Sequence, residues 1–129
     1  MAYTIYEKKN SRVLPLAVTI TTAGRISLNA PLTRIFHQSA FKGVLLLFDA
    51  GEKRIALRPV RTKEARSYSL SYGPDLSQVS LSGRTFLKEI GWDGRVHKIP
   101  AHWDANKSIV EFNMPKWQVS GVRREEKAG

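Results

Sequence analysis

The sequence predicts a mainly β protein with short helices, an α+β fold built from two strand-strand-helix-strand-strand repeats. Three observations carry that expectation. Phe48-Asp49-Ala50-Gly51 leads into Lys53-Arg54-Ile55-Ala56-Leu57, and Trp103-Asp104-Ala105-Asn106 leads into Lys107-Ser108-Ile109-Val110-Glu111. With one single-residue gap, both read as an aromatic-Asp-Ala-(Gly/Asn) turn, a basic residue and a β-branched strand. Upstream, Arg25-Ile26-Ser27-Leu28-Asn29 corresponds to Gln78-Val79-Ser80-Leu81-Ser82, each ahead of a short helical pattern, and the offset stays near 53–55 positions. Finally, a unit of about 45 residues is too small to own a core, so two must share one.

The elements follow in order. Residues 1–16 make an N-terminal arm, whose first 12 residues are polar and basic around Tyr3, Ile5 and Tyr6 and could form an edge strand. The first repeat spans 17–61. Val18-Thr19-Ile20-Thr21 alternates as a strand, Ala23-Gly24 turns, and Ile26-Ser27-Leu28 alternates again. Asn29 is placed to cap a helix with Pro31 in its first turn, and Leu32, Ile35 and Phe36 share one face. Residues 44–48 read as a buried strand, 50–52 as its turn and 54–57 as the returning strand. A polar linker occupies 62–67, and the second repeat spans 68–114. There Tyr68-Ser69-Leu70-Ser71-Tyr72 alternates, Gly73-Pro74-Asp75 breaks it, and 79–81 is the next strand. Ser82 is placed to cap a helix over 84–90 with Phe86, Leu87 and Ile90 as its apolar side, and Gly91 suits the left-handed residue that ends it. Residues 96–99 and 109–112 make the last strands, and 115–129 a tail. The expected core is Leu28, Leu32, Ile35, Leu46, Phe48, Ile55, Leu81, Phe86, Ile90 and Ile109.

Composition narrows the function. At 129 residues, 42% hydrophobic and 25% charged, the chain is ordinary for a folded domain. The absence of Cys excludes a disulfide scaffold and a thiolate metal site. The apolar run at 43–48 is far below membrane-spanning length, and 14–20 lacks the features of a signal peptide, so a cytoplasmic protein with no membrane partner is expected. The net charge of +10 is unevenly spread: residues 1–66 hold 12 Lys/Arg against 4 Asp/Glu, and residues 67–129 hold 9 against 7. The density peaks at Lys53, Arg54, Arg58, Arg61, Lys63 and Arg66, a field that attracts polyanions. A solvated positive face with no partner is the plain alternative.

Arg25 follows a glycine in a turn, from which a guanidinium can bind a phosphate or a guanine edge. Arg54, Arg58 and Arg61 run along a strand into the linker at spacings that suit a phosphate backbone, or simply a solvent face. Asp49 and Asp104 recur in the same turn of both copies, which favours bonding to local N–H groups over catalysis. His97 and His102 lack a third ligand within reach. Trp92, Trp103, Trp117, Tyr68 and Tyr72 could stack on bases but suit a core better. No phosphate loop, nucleophile elbow or carboxylate pair appears, so neither an enzyme nor a cofactor is expected.

The segment Ala23-Gly24-Arg25-Ile26-Ser27-Leu28-Asn29-Ala30-Pro31-Leu32-Thr33-Arg34-Ile35 resembles the swapped-hairpin DNA-binding proteins of the AbrB, MazE and MraZ type. The resemblance covers 17–114 and implies a pseudo-dimeric swapped-hairpin β-barrel made from two copies in one chain. It also implies that Arg25 faces DNA from a turn and that Arg34 lies near the same surface on a helix. In the second copy Gln78 stands where Arg25 stood, and Lys88 roughly replaces Arg34. The expected function is therefore a transcriptional regulator or antitoxin-like protein holding duplex DNA on a basic face of the first repeat. Its expected contacts are Arg25, Arg34, Arg54, Arg58, Arg61, Lys63, Arg66 and Lys88. The contrasting reading is a non-enzymatic subunit of a nucleoprotein complex that binds RNA or another protein. A second copy of the chain is an open partner in either case.

Overall fold

A computed structural model describes residues 15–116, so most of the expected arm and tail, and Trp117 with them, lie outside the described residues. The order is β1 (Ala17–Ile20), β2 (Arg25–Leu28), α1 (Ala30–Gln38), β3 (Gly43–Asp49), β4 (Arg54–Val60), β5 (Tyr68–Ser69) and β6 (Ser71–Tyr72). A 3-10 turn (Pro74–Leu76), β7 (Val79–Ser82), α2 (Arg84–Glu89), β8 (His97–Pro100), β9 (His102–Asp104) and β10 (Ile109–Asn113) complete it. The fold is mainly β with few short helices. Its strands form two five-stranded antiparallel sheets, sheet A in the order β6-β7-β2-β1-β8 and sheet B in the order β5-β3-β4-β10-β9.

Each sheet takes strands from both halves of the chain and joins them at two ladders, β1 against β8 and β3 against β5 being one in each sheet. In sheet A the other is β2 against β7, with Ser27 opposite Ser80. In sheet B the other is β4 against β10, with Ala56 opposite Glu111. The segment read as one strand over 68–72 is two, because the chain leaves sheet B for sheet A at Leu70. The Leu70 N–H is met there by the Lys42 carbonyl at 2.9 Å. Ala101 breaks 97–104 in the same way, donating to the Leu16 carbonyl at 2.9 Å. A change of sheet interrupts the ladder but leaves neither amide unpaired. The strands thus stand as two sheets and not as a closed barrel.

The inward rows of the sheets meet in one core. Val18, Ile20, Ile26, Leu28, Val79 and Leu81 come from sheet A, and Val44, Ile55, Leu57, Val110 and Phe112 from sheet B. Leu32 and Phe36 of α1 and Leu87 of α2 join them. Each such side chain is worth about 1.5–3 kcal/mol of transfer free energy. Of the expected core, Leu28, Leu32, Ile55, Leu81 and Ile109 are buried, while Ile35, Leu46, Phe48, Phe86 and Ile90 are partly buried at its margin. The run at 44–48 is not a fully buried strand. Pairing sends Val44, Leu46 and Phe48 to the face shared with Leu57 and Ile55, and turns Leu45 and Leu47 outward.

Neither side-chain cap forms as expected. Asn29 occupies the N-cap of α1 without capping it, and its amide donates instead to the Pro15 carbonyl at 2.7 Å. Ser82 ends β7, and the N-cap of α2 is Gly83. A Cβ on Gly83 would lie 2.7 Å from the Ile26 side chain, so close packing of α2 on β2 requires glycine there. Both helices end alike. Gly91 (φ 95°) and Ala40 (φ 57°) take the left-handed conformation, and the next residues, Trp92 and Phe41, donate back to Leu87 and Phe36 at 2.9 and 3.1 Å. Left-handed backbone costs a non-glycine residue roughly 1–2 kcal/mol, and the flexibility of glycine returns about 0.5–1 of that. Ala40→Gly should therefore raise stability by about 0.5–1 kcal/mol, read as a higher urea midpoint.

The two repeated turns share their local chemistry. The Asp49 carboxylate accepts the Glu52 N–H at 3.0 Å, and that of Asp104 accepts those of Asn106 and Lys107 at 3.0 and 3.1 Å. Lys53 (φ 55°) and Ser108 (φ 53°) are the left-handed residues that follow. These features keep a constant offset, so the single-residue gap drawn in the sequence comparison is not needed. Ile55 corresponds to Val110 and Leu57 to Phe112, and all four face the core.

Candidate nucleic-acid interface

The outer face of sheet A is built by strand alternation. Because Val18, Leu28 and Val79 face the core, Thr19, Ser27 and Ser80 turn to the opposite face, where Thr19 and Ser27 are partly exposed and Ser80 is covered, only 8% exposed. The registers set Thr19 beside Lys98, Thr19 beside Ser27, Ser27 beside Ser80 and Ser80 beside Ser71. One row thus crosses all five strands and reads Lys98, Thr19, Ser27, Ser80, Ser71. Four steps of about 4.8 Å make it about 19 Å long, enough to cross a major groove about 12 Å wide.

Arg25 lies beside this row at the start of β2, half-buried. Its Nη2 donates to Ser80 Oγ at 2.9 Å and its Nε to the same oxygen at 3.3 Å, so a side chain of one half is held by the other. Ser27 Oγ donates to Gln78 Oε1 at 3.0 Å. Thr19, Thr21, Arg25, Ser27, Gln78 and Ser80 line a depression of about 230 Å³. No Asp or Glu occurs on any strand of sheet A. Gly24 (φ 83°) fixes the turn, since a Cβ there would sit 2.6 Å from the Arg84 Cβ. The β1–β2 turn is thereby seated on the first residue of α2.

The expected contacts do not form one face. Arg54 and Arg58 point outward from sheet B, opposite Asp49 and Leu45, with the core between them and Arg25. Arg58 and Arg66 line a depression with Leu45, Leu46 and Leu47. Arg61 is turned onto its own chain: its Nε donates to the Ser39 carbonyl at 2.7 Å, and its guanidinium lies 5.1 Å from the centre of the Phe41 ring. Lys63 lines a separate cavity beside His37 and Tyr72. Arg34 and Lys88 are exposed on α1 and α2. Lys98, Thr19, Ser27, Ser80, Ser71 and Gln78, which form or border this row, are not among the expected contacts. The available signal was the recurrence of hydroxyls at alternate positions in strands whose other positions are aliphatic.

The remaining candidates have local partners. His97 bonds Asp93 at 2.8 Å, while His102 is exposed beside Glu111 on the outer face of sheet B. Among the described residues no group of three His, Asp or Glu side chains is placed to hold a metal ion. Trp92, Trp103, Tyr68 and Tyr72 pack against the core. No helix among these residues is long and apolar enough to cross a membrane. No protein-family model, curated protein or solved structure matches the chain.

Proposed function

We propose that this protein is a cytoplasmic DNA-binding regulator, of the transcriptional or antitoxin type, on an AbrB-like pseudo-dimer of swapped hairpins. Duplex DNA lies against the outer face of sheet A, so the binding surface belongs to both halves and not to the first repeat alone. The observation that carries this reading is the row from Lys98 to Ser71, in which the covered Ser80 holds Arg25 and Ser27 holds Gln78 beside it, with no carboxylate on its strands. Hydroxyls, amides and guanidinium groups supply most contacts to phosphate and sugar, and carboxylates would oppose them. The meeting of Ser27 with Ser80, the paired aspartate turns and the matching helix ends support the pseudo-dimer.

The outward Leu45 and Leu47, the latter 38% exposed, support the second reading, in which sheet B docks a protein within a nucleoprotein assembly. A fluorescence-anisotropy titration with a labelled duplex, a single strand and an RNA hairpin separates the two. The regulator should bind the duplex at low salt, with log affinity falling by roughly 0.9 per phosphate contact against log salt. Absence of duplex binding at low salt would remove it, and binding to RNA alone would transfer the case to the second reading.

A further inference from the structure

One cavity lies apart from the sheet A face. It has a volume of about 480 Å³ and lies between the end of α1, the start of the linker and the β5–β6 segment. Main-chain hydrogen bonds fix its walls. The left-handed Ala40 turns the chain so that the Phe41 N–H returns to the Phe36 carbonyl. Lys42 then donates to the Val60 carbonyl at 2.9 Å, and Leu70 donates to the Lys42 carbonyl at 2.9 Å. The Tyr72 hydroxyl donates to the Phe41 carbonyl at 2.6 Å, and its ring meets His37 edge-on at 5.8 Å. The cavity is therefore preformed, and its size lies in the range of small-molecule sites.

Its chemistry is two-sided. Phe41, Leu70 and the Tyr72 ring make an apolar floor, while Lys42, Lys63 and His37 border it with no carboxylate among the lining residues. We propose that this cavity binds a small organic anion with a flat apolar body, such as an aromatic carboxylate. The ring lies on Leu70 and against the Tyr72 ring, and the carboxylate faces the two ammonium groups. The Tyr72 phenol, pushed above its ordinary value by burial, donates to the Phe41 carbonyl and adds no negative charge to that wall. Two cations without an acid leave a positive potential that an uncharged ligand would not use, which is why the class is anionic. Lys63 belongs to the segment joining the two halves, so an occupant would bridge the first repeat and the linker.

The test titrates the full chain with sodium 1-naphthoate and, separately, with 1-naphthalenemethanol, which keeps the ring and lacks the charge. Backbone amide shifts in nitrogen-15 correlation spectra are the readout. Naphthoate should shift the amides of Phe41, Lys42 and Leu70 saturably at one site, and the alcohol should bind at least ten-fold more weakly. The exposed pair Lys42→Gln with Lys63→Gln should weaken naphthoate about ten-fold or more and leave the alcohol unchanged. Unsaturable shifts, shifts scattered over the surface, equal binding of the two probes, or wild-type naphthoate binding by the double variant would each overturn the proposal. Loss of duplex binding is a separate readout, because neither lysine lies on the strands of sheet A.

Discussion

Replacing Phe36 with alanine should cost about 3–5 kcal/mol, the largest loss expected from a single truncation in this core. The ring is fully enclosed and joins three parts of the fold. It stands on α1, meets Phe41 edge-on at 5.5 Å where the chain leaves the helix, and meets Trp103 of β9 at 6.0 Å. Each aromatic pair adds about 0.5–1.5 kcal/mol beyond the area it buries. The cavity left behind cannot collapse easily, because Leu32 and the inward rows of both sheets border it as one cluster. Urea unfolding followed by far-ultraviolet circular dichroism should show the loss as a lower midpoint at an unchanged slope. Truncating Phe86, which lies at the margin, should cost clearly less. A Phe36→Ala protein within about 1 kcal/mol of wild type would mean that this ring is not enclosed.

That contrast shows where sequence reasoning succeeded and where it stopped. Leu32, Ile35 and Phe36 do share one side of α1, but 100° per residue spreads them over an arc, and only tertiary packing chooses its centre. The centre is Leu32 and Phe36, with Ile35 at the edge. In α2 the same uncertainty exchanged Phe86 for Leu87, because a six-residue helix offers one fully buried position. Strands β1, β2 and β7 were legible because a period of two with small polar residues admits one facing only. The apolar run at 44–48 was not, since a continuous run reads alike whether one face or both are covered. The aspartate turns and Gly91 were legible because their chemistry is local. Ser82 was misread as a cap because the contact that demands glycine at position 83 comes from Ile26, far away in sequence. The charge density at 53–66 was real, but nothing in the sequence says that β4 and β2 face opposite sides of a core.

If DNA lies on sheet A, Lys98→Gln should lower the salt slope by about one unit and weaken every sequence alike, since an ammonium on phosphate carries no base identity. Arg25→Gln should act differently. A guanidinium that reaches a guanine edge supplies about 1–3 kcal/mol of discrimination, so its loss should narrow the gap between a preferred site and random DNA by that amount. The variant also gives up the hydrogen bonds to Ser80, and Ser80→Ala separates the two effects by releasing Arg25 without removing its charge. The triple variant Arg54→Gln, Arg58→Gln, Arg61→Gln decides between the sheets. Arg54 and Arg58 face away from sheet A, and Arg61 is held against Ser39 and Phe41. The triple variant should therefore keep nearly the wild-type slope, although it removes three positive charges. A fall of about three units would instead put the phosphates on sheet B, and the row from Lys98 to Ser71 would lose its assigned role.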